Sequence, residues 1–319
     1  MLEENPDLIY GRRISATAHS KVNLHLGVGP LRHDGYHELV TIFQSLSLKD
    51  ELDCVELRGT ATDQTPGIVA ELDAGGAEGV PTDASNLAWK AANMVYAFHR
   101  SGGGPPLNKV RMHLKKGIPT AGGMAGGSAD AAAALRLMQE YVTVKPTDKQ
   151  LLTMASALGS DVPFTLLGGT RLGTGRGENL VHVMSRGQYH WALAFSAQGL
   201  STPAVFAKLD QMQRTPHLSV DDLTAALISG DPYQVAEHLH NDMQPAALSL
   251  QPGLRKTLEI GKASGALAGI VSGSGPTCAF LCPDAQTAED VAAELRLVGA
   301  SATATGPALG ATISTTTSP

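Results

Sequence analysis

PTAGGMAGGSAD occupies residues 119–130, and four of the six residues from 122 to 127 are glycines. An alanine-rich run of strong helix formers follows at once, so the glycines lead into a predicted helix that ends near Tyr141. Glycine lets the backbone approach a ligand closely, and the unpaired N–H groups of a first helical turn attract anions. The stretch therefore predicts a binding loop for phosphate.

Two familiar phosphate-binding loops do not fit this stretch. It lacks the Gly-Lys-Ser/Thr ending of a Walker A loop. Pro119 and the paired glycines also fit poorly with a dinucleotide fingerprint, which disfavours a dinucleotide-dependent oxidoreductase. The remaining alternative is a flexible linker or a plain strand-to-helix turn, but flexible linkers are not usually fused to an alanine-rich helix.

The composition limits the class of protein. A chain of 319 residues favours two domains that share a cleft. The excess of 30 acidic over 24 basic residues argues against a nucleic-acid surface, although it allows a phosphorylated small molecule. No apolar stretch reaches the roughly 20 residues of a membrane span, and the three cysteines indicate no disulfide framework. We expect a cytoplasmic protein without a nucleic-acid or membrane partner; no feature indicates an oligomeric state.

The order of predicted elements indicates an α+β fold. Strands are predicted at residues 14–28, 39–48, 52–57, 110–114, 162–167 and 191–195, between helical patterns that recur along the chain. Residues 1–12 are expected to be a flexible leader, and residues 308–319, rich in Thr, Ser and Gly, a disordered tail. A polar stretch near residues 184–188 separates a predicted first domain, 13–185, from a second, 186–307.

The glycine stretch resembles motif 2 of the GHMP kinases, the family of galactokinase, homoserine kinase, mevalonate kinase and phosphomevalonate kinase. Residues 18–24, with Lys21 and Asn23, resemble motif 1, and residues 271–277 resemble motif 3. The resemblance spans about residues 14–306. It implies an ATP-dependent small-molecule kinase with a ribosomal protein S5-like N-terminal domain, a ferredoxin-like C-terminal domain and an active site in the cleft between them.

The same resemblance assigns an ATP site and a magnesium ion. Magnesium is implied as the counter-ion of ATP, with Ser128 as its protein ligand, and such an ion usually keeps several waters. The positions assigned to ATP are Pro119, Ala121, Gly122, Gly123, Met124, Ala125, Gly126, Gly127, Ser128, Asn86, Leu87 and Lys116.

Three further segments resemble the branch of the family that acts on a cytidine-diphospho polyol. They are DGYH at residues 34–37, LGSDVPF at 158–164 and GTGRGE at 173–178. The resemblance implies phosphorylation of the 2-hydroxyl of 4-diphosphocytidyl-2-C-methyl-D-erythritol, a step of non-mevalonate isoprenoid precursor biosynthesis. A tyrosine face can stack on a pyrimidine, and a histidine can hydrogen-bond its edge. The implied substrate-binding residues are Asn23, Tyr36, His37, Asp161, Gly273 and Ser274.

Asp161 and Lys21 are the implied catalytic pair. A carboxylate beside the acceptor hydroxyl can take its proton, and an ammonium can offset charge on the transferred phosphoryl group. The structural alternative for Asp161 is an ordinary helix cap or turn residue. Asn23 is expected on the same strand face as Lys21, because side chains in a strand alternate between faces.

Two other functions stay open at this point. One is a GHMP kinase of the homoserine or mevalonate type, which would not need the turn at Asp34 and Gly35 or the pair Tyr36 and His37. The other is a nucleotide-binding regulator on the same fold, which would not need the pair formed by Lys21 and Asp161.

Overall fold

The computed structural model describes residues 10–33, 35–61, 67–120 and 122–317. Two of the residues singled out above, Asp34 and Ala121, lie outside the described residues, as do positions 1–9 of the predicted leader.

The first half of the chain is built on a large mixed sheet. Its central strands run in the order β12-β1-β2-β4-β3, while β5 and β6 extend it from β2, and β8 adds to β1. Within the described residues, these eight strands are β1 (Tyr10–Leu31), β2 (His37–Leu57), β3 (Val69–Asp73), β4 (Val110–Lys115), β5 (Thr170–Gly175), β6 (Asn179–His182), β8 (His240–Asn241) and β12 (Thr312–Thr317).

Helices pack on one side of this sheet. They are α1 (Leu87–Ser101), α2 (Gly126–Tyr141), α3 (Asp148–Leu158) and α4 (Val162–Leu167). The central helix α2 packs against β1 and also contacts α1 and α4. Its residues 129–135 are all buried, and most of them are alanine, whose small side chain lets the neighbouring elements approach closely. This packing holds residues 119–128, called the glycine loop from here on, at a fixed place beside β1, where the loop leads into α2.

The second half forms a separate four-stranded antiparallel sheet in the order β11-β7-β10-β9. The strands are β7 (Tyr189–Phe195), β9 (Ala268–Val271), β10 (Cys278–Cys282) and β11 (Ala300–Gly306). The flanking helices are α9 (Gly253–Ala263) and α10 (Ala285–Arg296), and the shorter helices are α5 (Thr202–Asp210), α6 (Asp221–Ser229), α7 (Pro232–Glu237) and α8 (Gln244–Leu250). Counting α9 and α10, the β–α–β–β–α–β succession is the ferredoxin-like arrangement, so the predicted two-part α+β fold is confirmed.

Strand β1 joins the two halves. Parallel pairing places His25 beside His240 of β8, and antiparallel pairing places Arg13 beside Thr317 of β12. The expectation of a disordered tail is therefore wrong for residues 312–317. Because the segment is rich in threonine, it resembles a low-complexity tail. The β-branched side chain of threonine nevertheless favours a strand, here at the edge of the sheet.

Two other expectations also differ from the structure. Residues 162–167, predicted as a strand, form helix α4, because Pro163 occupies its first turn and a short apolar run does not distinguish strand from helix. The predicted leader ends earlier than expected, since Tyr10–Leu31 is a single strand. Within the ranges that the structure describes, no helix is long and apolar enough to cross a membrane.

Candidate active site

A cleft of about 840 Å³ lies where the glycine loop, β1, β2, α4, α5 and the turn at residues 272–277 meet. It brings together nearly all the predicted site residues. Those bordering it are Lys21, Asn23, Tyr36, His37, Asn86, Leu87, Lys116, Pro119, Gly122, Gly123, Met124, Ala125, Gly126, Gly127, Asp161, Gly273 and Ser274. Ser128 lies in the first turn of α2, where its carbonyl accepts a hydrogen bond from Thr165 Oγ1 (3.0 Å), but it does not border the cleft.

The glycine loop has the backbone geometry of an anion site. Ala125 precedes α2 with a φ of 61°, and it is the one non-glycine residue with positive φ in the described ranges. No side chain caps α2, so its first N–H groups stay available to a ligand. A left-handed alanine costs energy, and such strain tends to persist at functional positions.

The turn at residues 272–277 closes on the glycine loop. A Cβ atom at Gly123, which has a φ of +70°, would lie 2.9 Å from the carbonyl oxygens of both Ser272 and Gly275. On the other side, the N–H of Lys21 donates to the carbonyl of Met124 (3.3 Å). The loop is thus held between β1 and this turn, which explains why glycine is required at position 123.

Lys21 is buried, with 4% of its surface exposed. Its Nζ donates to Asn23 Oδ1 (2.7 Å), and Asn23 Nδ2 donates to Thr41 Oγ1 (2.9 Å). This contact confirms that Lys21 and Asn23 share one face of β1. Burial lowers the pKa of Lys21, and the negative charge of Asp161 opposes that shift. Both side chains border the same cleft.

Asp161 occupies the N-cap position of α4, yet its side chain makes no capping hydrogen bond. It is half-buried and borders the cleft. An ordinary helix cap would accept a hydrogen bond from the first turn. The carboxylate is instead left for the cleft, which it shares with Lys21.

Gly273 brings the second half of the chain onto Lys21. A Cβ atom at Gly273, whose φ is +59°, would lie 3.2 Å from Lys21 Nζ and 3.3 Å from Asn23 Oδ1. Asn241, which the sequence did not single out, fixes this turn by donating from Nδ2 to the carbonyls of Val271 (2.7 Å) and Gly273 (2.8 Å). No sequence motif marked Asn241, since its role depends on the pairing of β8 with β1.

Lys116 lies at the other end of the cleft in a buried ion triad. Its Nζ lies 2.5 Å from Asp50 Oδ2 and 2.7 Å from Asp130 Oδ2. Asp50 Oδ1 also accepts from the N–H groups of Gly117 and Ile118. The triad anchors the start of the glycine loop to β2, so Lys116 has a structural role in addition to bordering the cleft.

Asp130 is 3% exposed, and its Oδ1 has no hydrogen-bond partner in the structure. Burial raises its pKa from 3.8 to about 7, against the opposing effect of the Lys116 ammonium. The sequence suggested only that Asp130 favours the start of a helix; the structure makes it a buried titratable group at the border of the cleft.

Asn86 and Leu87 mark the start of α1 at this end of the cleft. Asn86 Oδ1 accepts from the N–H of Ala88 (2.8 Å), and its Nδ2 donates to the carbonyl of Pro81 (2.7 Å). The amide is therefore engaged in capping α1, and contact of these two residues with a nucleotide stays a prediction.

Tyr36 and His37 lie at the opposite end. Tyr36 is 51% exposed, and the guanidinium of Arg176 lies over its ring, 4.6 Å from the centroid. His37 is buried; its ring stacks on Phe206 of α5, with centroids 5.2 Å apart, and its Nε2 lies 3.2 Å from Asp210 Oδ1. The sequence did not single out the side chains of Arg176 and Phe206. The one signal for Phe206 in the sequence is that aromatic residues make up only 4% of the chain, so each of them is a candidate for stacking on a base.

We predict that Gly123→Ala weakens ATP binding about tenfold and lowers the melting temperature. The new Cβ would collide with two carbonyls of the turn at residues 272–277, and the left-handed backbone costs about 1–2 kcal/mol more for alanine. Gly253→Ala is the matched control, since no atom lies within 4 Å of its added Cβ and its φ is not positive. Calorimetric titration with an ATP analogue and thermal denaturation measure both effects; equal behaviour of the two variants would contradict the prediction.

We further predict that the wild type loses stability relative to Asp130→Asn as pH rises from 5 to 8. Because the pKa of Asp130 is higher in the folded than in the unfolded chain, the folded protein retains a proton that the unfolded chain has released, and raising the pH favours unfolding. The expected change is about 2 kcal/mol in the free energy of unfolding, measured by urea denaturation.

Asp148→Asn serves as the control for this pH experiment. Hydrogen bonding from Arg136 lowers the pKa of the exposed Asp148, so this carboxylate stays ionised from pH 5 to 8 and its variant should track the wild type. A flat difference between the wild type and Asp130→Asn over that range would show that Asp130 does not titrate there.

Comparisons with known proteins show to which family the chain belongs. The model of the GHMP kinases N terminal domain matches residues 86–169, and that of the GHMP kinases C terminal matches residues 223–314. A 4-diphosphocytidyl-2-C-methyl-D-erythritol kinase of Corynebacterium diphtheriae is 64% identical over 301 residues, which cover 93% of this chain and 97% of that protein. The protein of the same description from Nocardia farcinica is 52% identical and covers 93% of this chain and 94% of that protein.

Solved structures show the same relationship. The crystal structure of a 4-(cytidine 5′-diphospho)-2C-methyl-D-erythritol kinase has a TM-score of 0.75 and 30% identity, covering 92% of this chain and 99% of its own. A homoserine kinase from Cytophaga hutchinsonii, 18% identical, shares the fold with a TM-score of 0.71, covering 94% of this chain and 97% of its own. Since both family regions are matched in order and close relatives span almost the whole length, the chain belongs to the GHMP kinase family.

Proposed function

We propose that the protein is an ATP-dependent kinase that phosphorylates the 2-hydroxyl of 4-diphosphocytidyl-2-C-methyl-D-erythritol, giving the 2-phosphate and ADP in non-mevalonate isoprenoid precursor biosynthesis. The observation that carries the proposal is the uncapped carboxylate of Asp161, which shares the cleft with buried Lys21 beside the glycine loop. The names of the close relatives support the choice of substrate.

The chemistry follows from these side chains. The substrate oxygen forms a bond to the γ-phosphorus as the bond from that phosphorus to the β–γ bridging oxygen breaks, and the hydroxyl proton passes to Asp161. Lys21 offsets the negative charge on the transferred group, while N–H groups of the glycine loop and α2 bind the phosphates of ATP. Asn23, whose amide hydrogen-bonds with Lys21 and Thr41, would hold the polyol.

The cleft also has the extent that two ligands need. Its volume of about 840 Å³ lies in the upper range for small-molecule sites. His37 begins β2, whereas Asp50, the partner of Lys116, lies thirteen residues further along that strand, so Tyr36 and His37 border the cleft away from Lys116. Leu87 lies beside Gly127 of the glycine loop. ATP beside Lys116 and a cytidine nucleotide beside Tyr36 would bring their reacting groups together near Asp161.

Magnesium fits this site as an ion that ATP brings with it. Asp130 and Asp161 are the carboxylates among the described residues that border the cleft, and Asp130 is already paired with Lys116. Across the described part of the chain, no group of three or more His, Cys, Asp or Glu is arranged to hold a metal. Phosphate oxygens and water would supply the ligands, and the ion would neutralise phosphate charge; Ser128, the predicted protein ligand, does not border the cleft.

The proposed place of the reaction is the cytoplasm. Cys54, Cys278 and Cys282 are all buried free thiols, which suits a reducing compartment.

We expect Asp161→Ala and Asp161→Asn to reduce turnover by at least about 10²-fold, because both remove the group that accepts the hydroxyl proton. Binding of an ATP analogue should be nearly unchanged. Asp222→Asn is the control, since Asp222 is an exposed carboxylate of α6 outside the cleft. Steady-state kinetics with calorimetry separates the two effects; near-normal turnover of the Asp161 variants would mean that another group is the base.

The substrate is tested by ADP release with three acceptors. We expect turnover with 4-diphosphocytidyl-2-C-methyl-D-erythritol and none above background with homoserine or mevalonate, since Tyr36 and His37 form an aromatic end that the smaller acceptors would leave empty. Turnover of homoserine or mevalonate alone would replace the proposed function by one of the alternative kinase activities.

A further inference from the structure

The turn between β5 and β6 places a cation on the face of Tyr36. Arg176 lies in this turn, and its guanidinium carbon is 4.6 Å from the centroid of the Tyr36 ring. This distance is well inside the range of about 6 Å at which a cation is attracted by an aromatic face. A planar guanidinium also stacks on such a face, which an ammonium cannot do.

Glu38, near the start of β2, holds the turn, and two further hydrogen bonds orient Glu38 and the turn itself. Glu38 Oε1 accepts from the N–H of Gly175 (2.9 Å), and Glu38 Oε2 accepts from Arg32 Nη1 (2.8 Å). Glu178 Oε2 accepts from the N–H of Arg176 itself (2.6 Å). The backbone that carries Arg176 is therefore tied to the residues that follow Tyr36 and His37 in the chain.

Within the described ranges, no charged group competes with Tyr36 for the side chain of Arg176. It is exposed and borders the cleft, and no carboxylate of the described residues forms an ion pair with it. The other two cationic side chains along the described part of the cleft are differently engaged: Lys21 is buried against Asn23, and Lys116 bridges two aspartates. The Tyr36 ring is thus the described partner that accounts for the placement of the guanidinium.

We propose that Arg176 is a positioning residue that holds the Tyr36 ring by stacking on one face, so that the pyrimidine of the acceptor substrate stacks on the other. The inference rests on the proposed function and deepens it, because it names the group that orients the pyrimidine contact. An exposed tyrosine loses rotational freedom when a base stacks on it, and a ring that is already held loses less. Arg176 therefore strengthens binding of the base without touching it.

A double-mutant cycle tests this arrangement. Binding of cytidine and of cytidine 5′-diphosphate is measured by calorimetry for the wild type, Arg176→Leu, Tyr36→Ala and the double variant. We expect Arg176→Leu to weaken both ligands by the same factor, about three- to tenfold. In the Tyr36→Ala background, the same substitution should change neither affinity. Both side chains are exposed, so the variants retain the fold.

Steady-state kinetics supply a second readout. Arg176→Leu should raise the KM for the cytidylyl substrate while leaving the KM for ATP and kcat near their wild-type values. Arg176→Lys keeps the charge but loses the planar stack, so it should retain part of the affinity, again equally for cytidine and its diphosphate. Arg255→Leu, at an exposed arginine of α9 outside the cleft, should have no effect.

Three results would overturn the inference. A loss confined to the diphosphate and persisting without Tyr36 would mean that Arg176 binds phosphate directly. Independent effects of the two substitutions would mean that Arg176 does not act through the ring. A wild type that binds neither cytidine nor its diphosphate would remove the proposed function and this inference together, whereas the first two results leave the proposed function standing.

Discussion

Backbone atoms of the turn at residues 272–277 touch the glycine loop on one side and Lys21 on the other, and the whole cleft depends on that contact. At Gly123 a Cβ atom would collide with two carbonyls of the turn, and at Gly273 it would press on the Lys21 ammonium and the Asn23 amide. Asn241 holds the turn from behind through two carbonyls. Lys21 of the first sheet, Gly123 of the glycine loop and Gly273 of the second half are therefore held close together. In this arrangement Lys21 and Asp161 border the same cleft.

The two lysines that border the cleft have different surroundings, which suit Lys116 to anchoring the loop and Lys21 to the reaction. The Lys116 ammonium lies between two carboxylates and holds the base of the glycine loop. Lys21 is desolvated and has an amide as its direct partner, so its charge is still available to a phosphoryl group. The glycine loop itself contributes backbone N–H groups and no charged side chain, which lets it bind phosphate without adding counter-charge that would compete with a metal ion.

Much of the fold and of the site followed from the sequence because the signals were local. Glycine spacing, the alanine-rich helix and the alternation at Lys21 and Asn23 each act within a few residues, and the structure places those elements as expected. The carboxylate of Asp161 was found by motif, although its freedom from capping became visible only in the structure. Features set by distant pairing were missed. Phe206 borders the cleft and Asn241 supports the turn at residues 272–277 only because α5 and β8 are brought there by tertiary contacts. Arg176 stood in the quoted segment 173–178, but its contact with Tyr36 became visible only in the structure.

The two mistaken elements have a common physical origin. A short apolar run such as residues 162–167 satisfies either strand or helix periodicity, and its neighbours decide between them. A threonine-rich segment such as residues 312–317 forms a strand only where an open edge receives it, and β1 offers that edge. The helix and strand propensities of these residues alone therefore predict neither helix α4 nor strand β12.

The shared strand also bears on how the protein is made. The edge of β1 that faces away from β2 is covered by β8 and β12, which leave the ribosome long after β1 itself. Until then a partly synthesised chain exposes unpaired N–H and C=O groups along this strand of 22 residues, a template for pairing with other nascent chains. The high sequence separation of these pairs slows folding as well. The first half is therefore expected to rely on chaperones during translation, although it contains most of the residues proposed to bind ATP.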